Sequence, residues 1–393
     1  VYVSSKPDSG NSFTMTGGVI EKNSADYGGA FYARSTVEGG ATISMSGGTV
    51  GGTAEGAGNY GADYGGAFYI ANTHNNYPNQ YAHLELSGGT ITGNSVRYEN
   101  DGGAIYYYGN KSLTIKDAPA TPTETLNITG NKDREGNNNI STYSYGGDHY
   151  FDVASQLSDD VHIGLSIGSL LNDQFAWNVI NTDNPVALNN TAAFTPDKKE
   201  TLVPRNSEDN TKLIWGEAIC EVPELGGKKY EDVQEAIDDI YNNIANHTGT
   251  INFITEKVIQ KEQLKFYDGL VLTFDSTKEA SSSQNNHGTT YEVNTYNNNA
   301  FVIDEAANIT FGNNLNISVV YYDSSTSTYY AAYSTFVINN ANAVVTFGKD
   351  DAQSDQQPYL YSNTKEPGDG ANFDLQAGTL NIKRIDTSVP RCE

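Results

Sequence analysis

The heptapeptide DYGGAFY stands at residues 26–32 and returns unchanged at 63–69, and DGGAIYY follows at 101–107. Gly28, Gly65 and Gly102 are therefore 37 residues apart twice in succession. A fixed period of this length marks a repeat architecture, in which no unit buries its apolar face except against its neighbours. The flanking sequence repeats as well. FTMTGG (13–18), ISMSGG (43–48) and LELSGG (84–89) each alternate apolar and polar residues before a pair of glycines. Alternation places Phe13 with Met15, Ile43 with Met45 and Leu84 with Leu86 on one face, which is the period of a strand and not of a helix. A worn fourth copy spans 126–153. In the second half, FVIDEAANITFGNN (301–314) returns as FVINNANAVVTFGKD (336–350), offset by 35 residues, and Phe373 of NFDLQAGTLNIK lies 37 residues after Phe336.

Three short strands per repeat, turned by Gly and Asn, predict an all-β chain: a parallel β-helix, or solenoid, in two segments. Apolar residues make up only 37% of the chain, but 27 Tyr and 14 Phe supply large buried side chains. Between the segments the pattern changes. In KYEDVQEAIDDIYNNIANHTG (229–249), Val233, Ile237, Ile240 and Ile244 fall on one helical face, and Glu231 and Asp232 suit a helix N-terminus. This spacing predicts a short amphipathic helix near 230–245 that caps the second segment and shields its open core. The expected domains are 1–216, with Gly-Gly-Ala repeats and an irregular C-terminal end, and 217–393.

The pairing of ITGN (91–94) with GGAI (102–105), and of IEKN (20–23) with GGAF (28–31), resembles the GGA(I/L/V) and FxxN repeats of bacterial polymorphic outer-membrane proteins, which are autotransporter-type adhesin passengers. Ile20 and Ile91 stand where that family has Phe, and the second copy offers only VGGT (50–53) in place of the Asn motif. EDVQEAIDD followed by GTINFI is similar to the start of many bacterial surface β-helix proteins. The resemblance covers about residues 10–150 well and 228–383 loosely. It implies a right-handed parallel β-helix and a secreted or surface-anchored, often adhesive protein. The translocating β-barrel of that family has no counterpart in this sequence.

A formal charge of −25 opposes binding to nucleic acid phosphates or to anionic membranes, and suits an exposed setting. The sequence reads as a mature or trimmed segment with no membrane span. Its six histidines, His74, His83, His149, His162, His247 and His287, show no ligand spacing, and no metal or other cofactor is expected. Adjacent acidic pairs do not suit glycoside cleavage: neighbours on a strand, as at Asp159-Asp160 and Asp350-Asp351, point to opposite faces, and the helical pair Asp238-Asp239 reads as a solvated face. No catalytic residue is assigned. Cys220 and Cys392 bracket the second segment at about 20 Å, too far for a disulfide between them. Within the repeats, Phe31, Phe68 and Ile105 share the core phase, which leaves Tyr32, Tyr69 and Tyr106 as an outward column and the candidate surface contact ladder. The same column also suits plain stacking that stabilises the sheet. The insertions 71–82 and 117–126 are the candidate specificity loops. The expected function is that of an extracellular, non-enzymatic surface protein, adhesin-like or a subunit of a layer, fibre or sheath. Its partners would be other surface proteins, further copies of itself, or glycans. The alternative is a carbohydrate-active β-helix enzyme, a polysaccharide lyase or glycoside hydrolase.

Overall fold

The computed structural model describes residues 1–387 except 5–9, 36–39, 73–81, 100, 109–111, 118–123, 143–149, 167–173, 198–200, 261, 279–288, 294–300, 313–314, 320, 324–327, 331–335, 349–358, 363–372 and 384–385. The chain forms two compact units, Val1–Gly216 and Glu217–Glu393. Among the described residues both are all-β, with long parallel sheets, one α-helix and two short 3-10 turns.

In the first unit the sequence period becomes a ladder step. The strands Asn11–Ile20, Ala41–Gly51 and Ala82–Thr92 lie side by side and parallel. Phe13 pairs with Ile43 and Ile43 with Leu84; Met15 pairs with Met45 and Met45 with Leu86. Tyr2–Ser4, Phe31–Ser35, Phe68–Asn72 and Ile105–Tyr108 make a second parallel series. Ser24–Tyr27, Tyr60–Tyr64 and Ser95–Val96 make a third. Each strand thus pairs with its own equivalent one repeat later. Phe31, Phe68 and Ile105 are fully buried, and the Phe31 and Phe68 rings stack 4.7 Å apart, which is the spacing between strands. The parallel order ends where Gln174–Asn178 pairs antiparallel with Lys212–Glu217.

The Gly-Gly-Ala blocks are corners between two of these series. Gly28, Gly65 and Gly102 have φ between +59° and +68°, a region that side chains with a Cβ avoid. The second glycine is required for another reason. A Cβ on Gly29 would stand 2.3 Å from Gly66 O, and one on Gly66 would stand 2.0 Å from Gly103 O. Successive corners lie directly on one another, so the repeated glycines are a consequence of stacking.

The second unit follows the same rule. Phe301, Phe336 and Phe373 are register partners with ring centroids 4.6 and 5.6 Å apart. Phe274, Phe311 and Phe347 form another column at 5.1 Å steps. The helix α1 spans Val233–Asn243. Asp232 caps it, its carboxylate accepting from the N–H groups of Gln234 at 2.7 Å and Glu235 at 3.1 Å. Val233, Ala236, Ile237 and Ile240 are buried in one core with Ile251, Phe253 and Leu272. Ile244, expected on that face, is instead the extended C-cap residue and only partly buried. Cys220 is a free, buried thiol, while Cys392 lies outside the described residues.

Candidate functional site

The candidate ladder is a real register column. Tyr2 pairs with Tyr32, Tyr32 with Tyr69 and Tyr69 with Tyr106, at centroid distances of 5.1, 5.2 and 5.8 Å. All stand in the phase opposite the buried Phe31, Phe68 and Ile105. Exposure falls along the column, from 61% at Tyr2 through the half-buried Tyr32 and Tyr69 to 4% at Tyr106. Tyr106 therefore offers no open contact. The ring of Tyr64 lies 4.7 Å from it.

Tyr64 belongs to a second column that the sequence reasoning missed. Tyr27 and Tyr64 are register partners, stacked 6.0 Å apart at the ends of Ser24–Tyr27 and Tyr60–Tyr64. The glycine corner folds them back beside the first column. Tyr27 lies 5.3 Å from Tyr69 and 6.0 Å from Tyr32, and Tyr64 lies 5.7 Å from Tyr69. The signal was present as the Tyr before each Gly-Gly pair. In the third repeat that position is Asp101, so the second column stops there.

The rings stand 5–6 Å apart, stacked at Tyr27–Tyr64 and Tyr64–Tyr69 and tilted by 44–49° at Tyr2–Tyr32 and Tyr32–Tyr69, so each ring packs on other tyrosines. Burial raises the Tyr69 hydroxyl to about 12, and it raises Tyr32 against the opposing pull of Arg34, so both stay protonated donors. Burial, with Asp133 and Asp63 adding repulsion, lifts the Asp101 carboxyl to about 6.

Behind the corner runs a buried amide ladder. The backbone N–H and Nδ2 of Asn23 both donate to Asn59 Oδ1, those of Asn59 to Asn94 Oδ1, and those of Asn94 to Asn131 Oδ1, all at 2.9–3.1 Å. Asn131 donates likewise to Asn139 Oδ1. Asn139 then donates to both carboxylate oxygens of Asp197 at 2.6 Å, where Ser166 Oγ also donates. Asn59 thus supplies the second copy's missing asparagine; it lies outside the VGGT stretch because that repeat carries extra residues before its corner.

The remaining candidates do not converge. Asp159 and Asp160 are exposed in a turn. Asp238 accepts from Gln234 Nε2 and Tyr267 Oη, and Asp239 accepts from Lys228 Nζ at 2.6 Å and Tyr230 Oη at 2.8 Å, so this pair ties the helix to its surroundings. His83 and His162 lie on separate strands and His247 stacks on Tyr241. His74, His149, His287, Asp350, Asp351 and most of both insertion loops lie outside the described residues. Among the described residues no three His, Cys, Asp or Glu side chains group as a metal site, and no helix is long and apolar enough to cross a membrane. In comparisons with known proteins, no family model, no curated protein and no solved structure matches the chain.

Proposed function

We propose that the chain is a right-handed parallel β-helix in two segments and acts as an extracellular, non-enzymatic, adhesin-like surface protein. The observation that carries this reading is the face made by Tyr2, Tyr27, Tyr32, Tyr64 and Tyr69, whose neighbouring rings are held 5.1–6.0 Å apart on a rigid parallel sheet. Aromatic side chains already locked by their neighbours lose little entropy when a partner arrives. Their exposed area suits a protein surface, where tyrosine is enriched at contacts. The net charge of −25 suits solvent display, and the resemblance to surface repeat proteins points the same way.

The test is retention of the full chain on immobilised fibronectin, laminin, collagen and the chain itself, with protease shaving of intact cells as the check on display. Retention on at least one surface, falling tenfold or more in a Tyr27→Ser, Tyr32→Ser double variant with an unchanged melting midpoint, is expected. Retention on none of them, or equal retention by the variant, refutes the contact face.

A second reading, a glycan-cleaving enzyme, draws on Asp101, whose carboxyl is raised to about 6 by burial and by Asp133 and Asp63, at the repeat position that Tyr27 and Tyr64 fill in the earlier copies. Release of reducing ends from a polysaccharide panel, abolished by Asp101→Asn, would establish that reading and displace the first.

A further inference from the structure

The chain has two tryptophans, and the first unit uses them in opposite ways. Trp215 is core, 4% exposed and packed 4.4 Å from Phe175. Trp177 is 38% exposed in a strand, Gln174–Asn178, whose other four residues are all buried. Its outward position follows from register. It pairs with Asp152 on one neighbouring strand and with Lys212 on the other, so the three side chains sit in a row on the outer face of the sheet. Lys212 Nζ stands 5.3 Å from the indole centroid, and Tyr150 meets the indole edge-on at 5.9 Å. A single exposed side chain is ordinary on a protein surface, but this one lines a cleft.

That cleft has a volume of about 300 Å³ and is lined by Trp177, Asp152, Val179, Thr182, Pro185 and Thr211. Its far wall is fixed rather than slack. The buried Asn178 donates through Nδ2 to Val186 O at 2.8 Å and to Asn210 O at 2.9 Å, and its Oδ1 accepts from the Ile180 N–H. These bonds pin the turn that carries Thr182 and Pro185. The cleft is thus a preformed concavity at the lower end of the size range for small-molecule sites.

We infer that this cleft is a binding site for a single neutral pyranose ring, as a monosaccharide or the end of a glycan, separate from the tyrosine face and independent of its role. A pyranose has an apolar face of C–H groups and a rim of hydroxyls. The indole face of Trp177 away from Lys212 is the plate for the first. The Asp152 carboxylate accepts from hydroxyls of the second, since a carboxylate has about four acceptor positions. Thr182 adds a hydroxyl that both donates and accepts. Asp152 is the charged residue of the lining, Lys212 standing over the indole without lining the cleft, and with the chain's charge of −25 this disfavours uronic and sialic acids; a volume near 300 Å³ holds one ring and not a chain of them. Affinity is expected in the millimolar range, as for other shallow single-ring sites.

The experiment titrates the full chain with methyl glucoside, methyl galactoside and methyl mannoside, each to 100 mM, followed by tryptophan fluorescence and by saturation-transfer NMR of the sugar. Saturable binding of at least one glycoside is expected, with transfer strongest at the C–H protons of one ring face. Trp177→Ala should abolish it and Asp152→Asn should weaken it fivefold or more; Tyr27→Ser should leave it unchanged, which separates this site from the tyrosine face. Should Trp177→Ala not fold, Trp177→Tyr keeps the test open, because a smaller plate should weaken binding severalfold. No saturable binding of any glycoside, binding unchanged in Trp177→Ala of native stability, or a preference for methyl glucuronide over methyl glucoside overturns the inference.

Discussion

Replacing Asn94 by Ala tests how much the buried amide ladder holds the first unit together. Asn94 Oδ1 is the acceptor for the Asn59 N–H at 3.0 Å and for Asn59 Nδ2 at 2.9 Å, and its own Nδ2 donates to Val50 O and Asn131 Oδ1. Asn59, Asn94 and Asn131 are all fully buried. The substitution orphans the buried Asn59 backbone N–H and one of the two Asn59 Nδ2 hydrogens, the other still donating to Ile20 O. At about 1–3 kcal/mol for each buried unsatisfied group, the cost is about 2–6 kcal/mol. The matched control is Asn23→Ala at the exposed end of the same ladder. There the backbone N–H still donates to Asn59 Oδ1, so only the Nδ2 bonds to Asn59 Oδ1 and to the exposed Glu21 O are lost, and the cost is about 1 kcal/mol or less. Both tryptophans lie in the first unit, so tryptophan fluorescence follows its urea unfolding without interference from the second. With a slope of about 2 kcal/mol per M, Asn94→Ala should lower the midpoint by about 1–3 M and Asn23→Ala by about 0.5 M or less. Equal shifts for the two variants would refute the view that the ladder's interior bonds are structural.

Gly66→Ala should prevent the first unit from folding or cost it several kcal/mol. Its Cβ would meet Gly103 O at 2.0 Å and Ser95 O at 2.6 Å, both backbone; Gly17→Ala, with nothing within 4 Å, should be nearly neutral, and circular dichroism melts compare them. Asp101 has a folded pKa of about 6, above the unfolded value near 4, so ionising it opposes folding. The first unit should therefore lose stability as pH rises from about 4 to about 6, and Asp101→Asn should flatten that part of a urea-midpoint profile against pH. Burial pushes the Cys220 thiol up, so alkylation at pH 8 should label it only after denaturation, as read by mass spectrometry of its peptide.

Much of the β-architecture was legible because stacking acts on sequence directly. A strand that pairs with its equivalent one repeat later must present the same residue type at each step, as Phe31 with Phe68 and Phe301 with Phe336 do. Corners that touch must repeat their glycines for the same reason. The helix was visible from its apolar spacing, and only its last turn differed. What escaped was set by variable loop length and by neighbours across a corner. Asn59 was hidden because extra residues separate it from its strand. Tyr27 and Tyr64 were hidden because a corner, not an alternation, brings them beside Tyr32 and Tyr69. The grading of exposure from Tyr2 to Tyr106 depends on which rings cover which, and that has no one-dimensional signature.

The amide ladder has a direction. From Asn23 to Asn139 every side chain donates to the next member in sequence, each one after Asn23 accepts from the one before, and Asp197, which has no amide hydrogen to pass on, ends the series. The two ends are therefore unequal as places for change. A duplicated repeat inserted between Asn23 and Asn131 brings its own asparagine and joins the ladder without altering a neighbour. One placed beyond Asp197 meets a carboxylate that can only accept. Lineages that lengthen or shorten this protein should thus differ in the count of early repeats while sharing one late terminus, and genome sequences of its relatives would record that bias as a fixed end and a variable beginning.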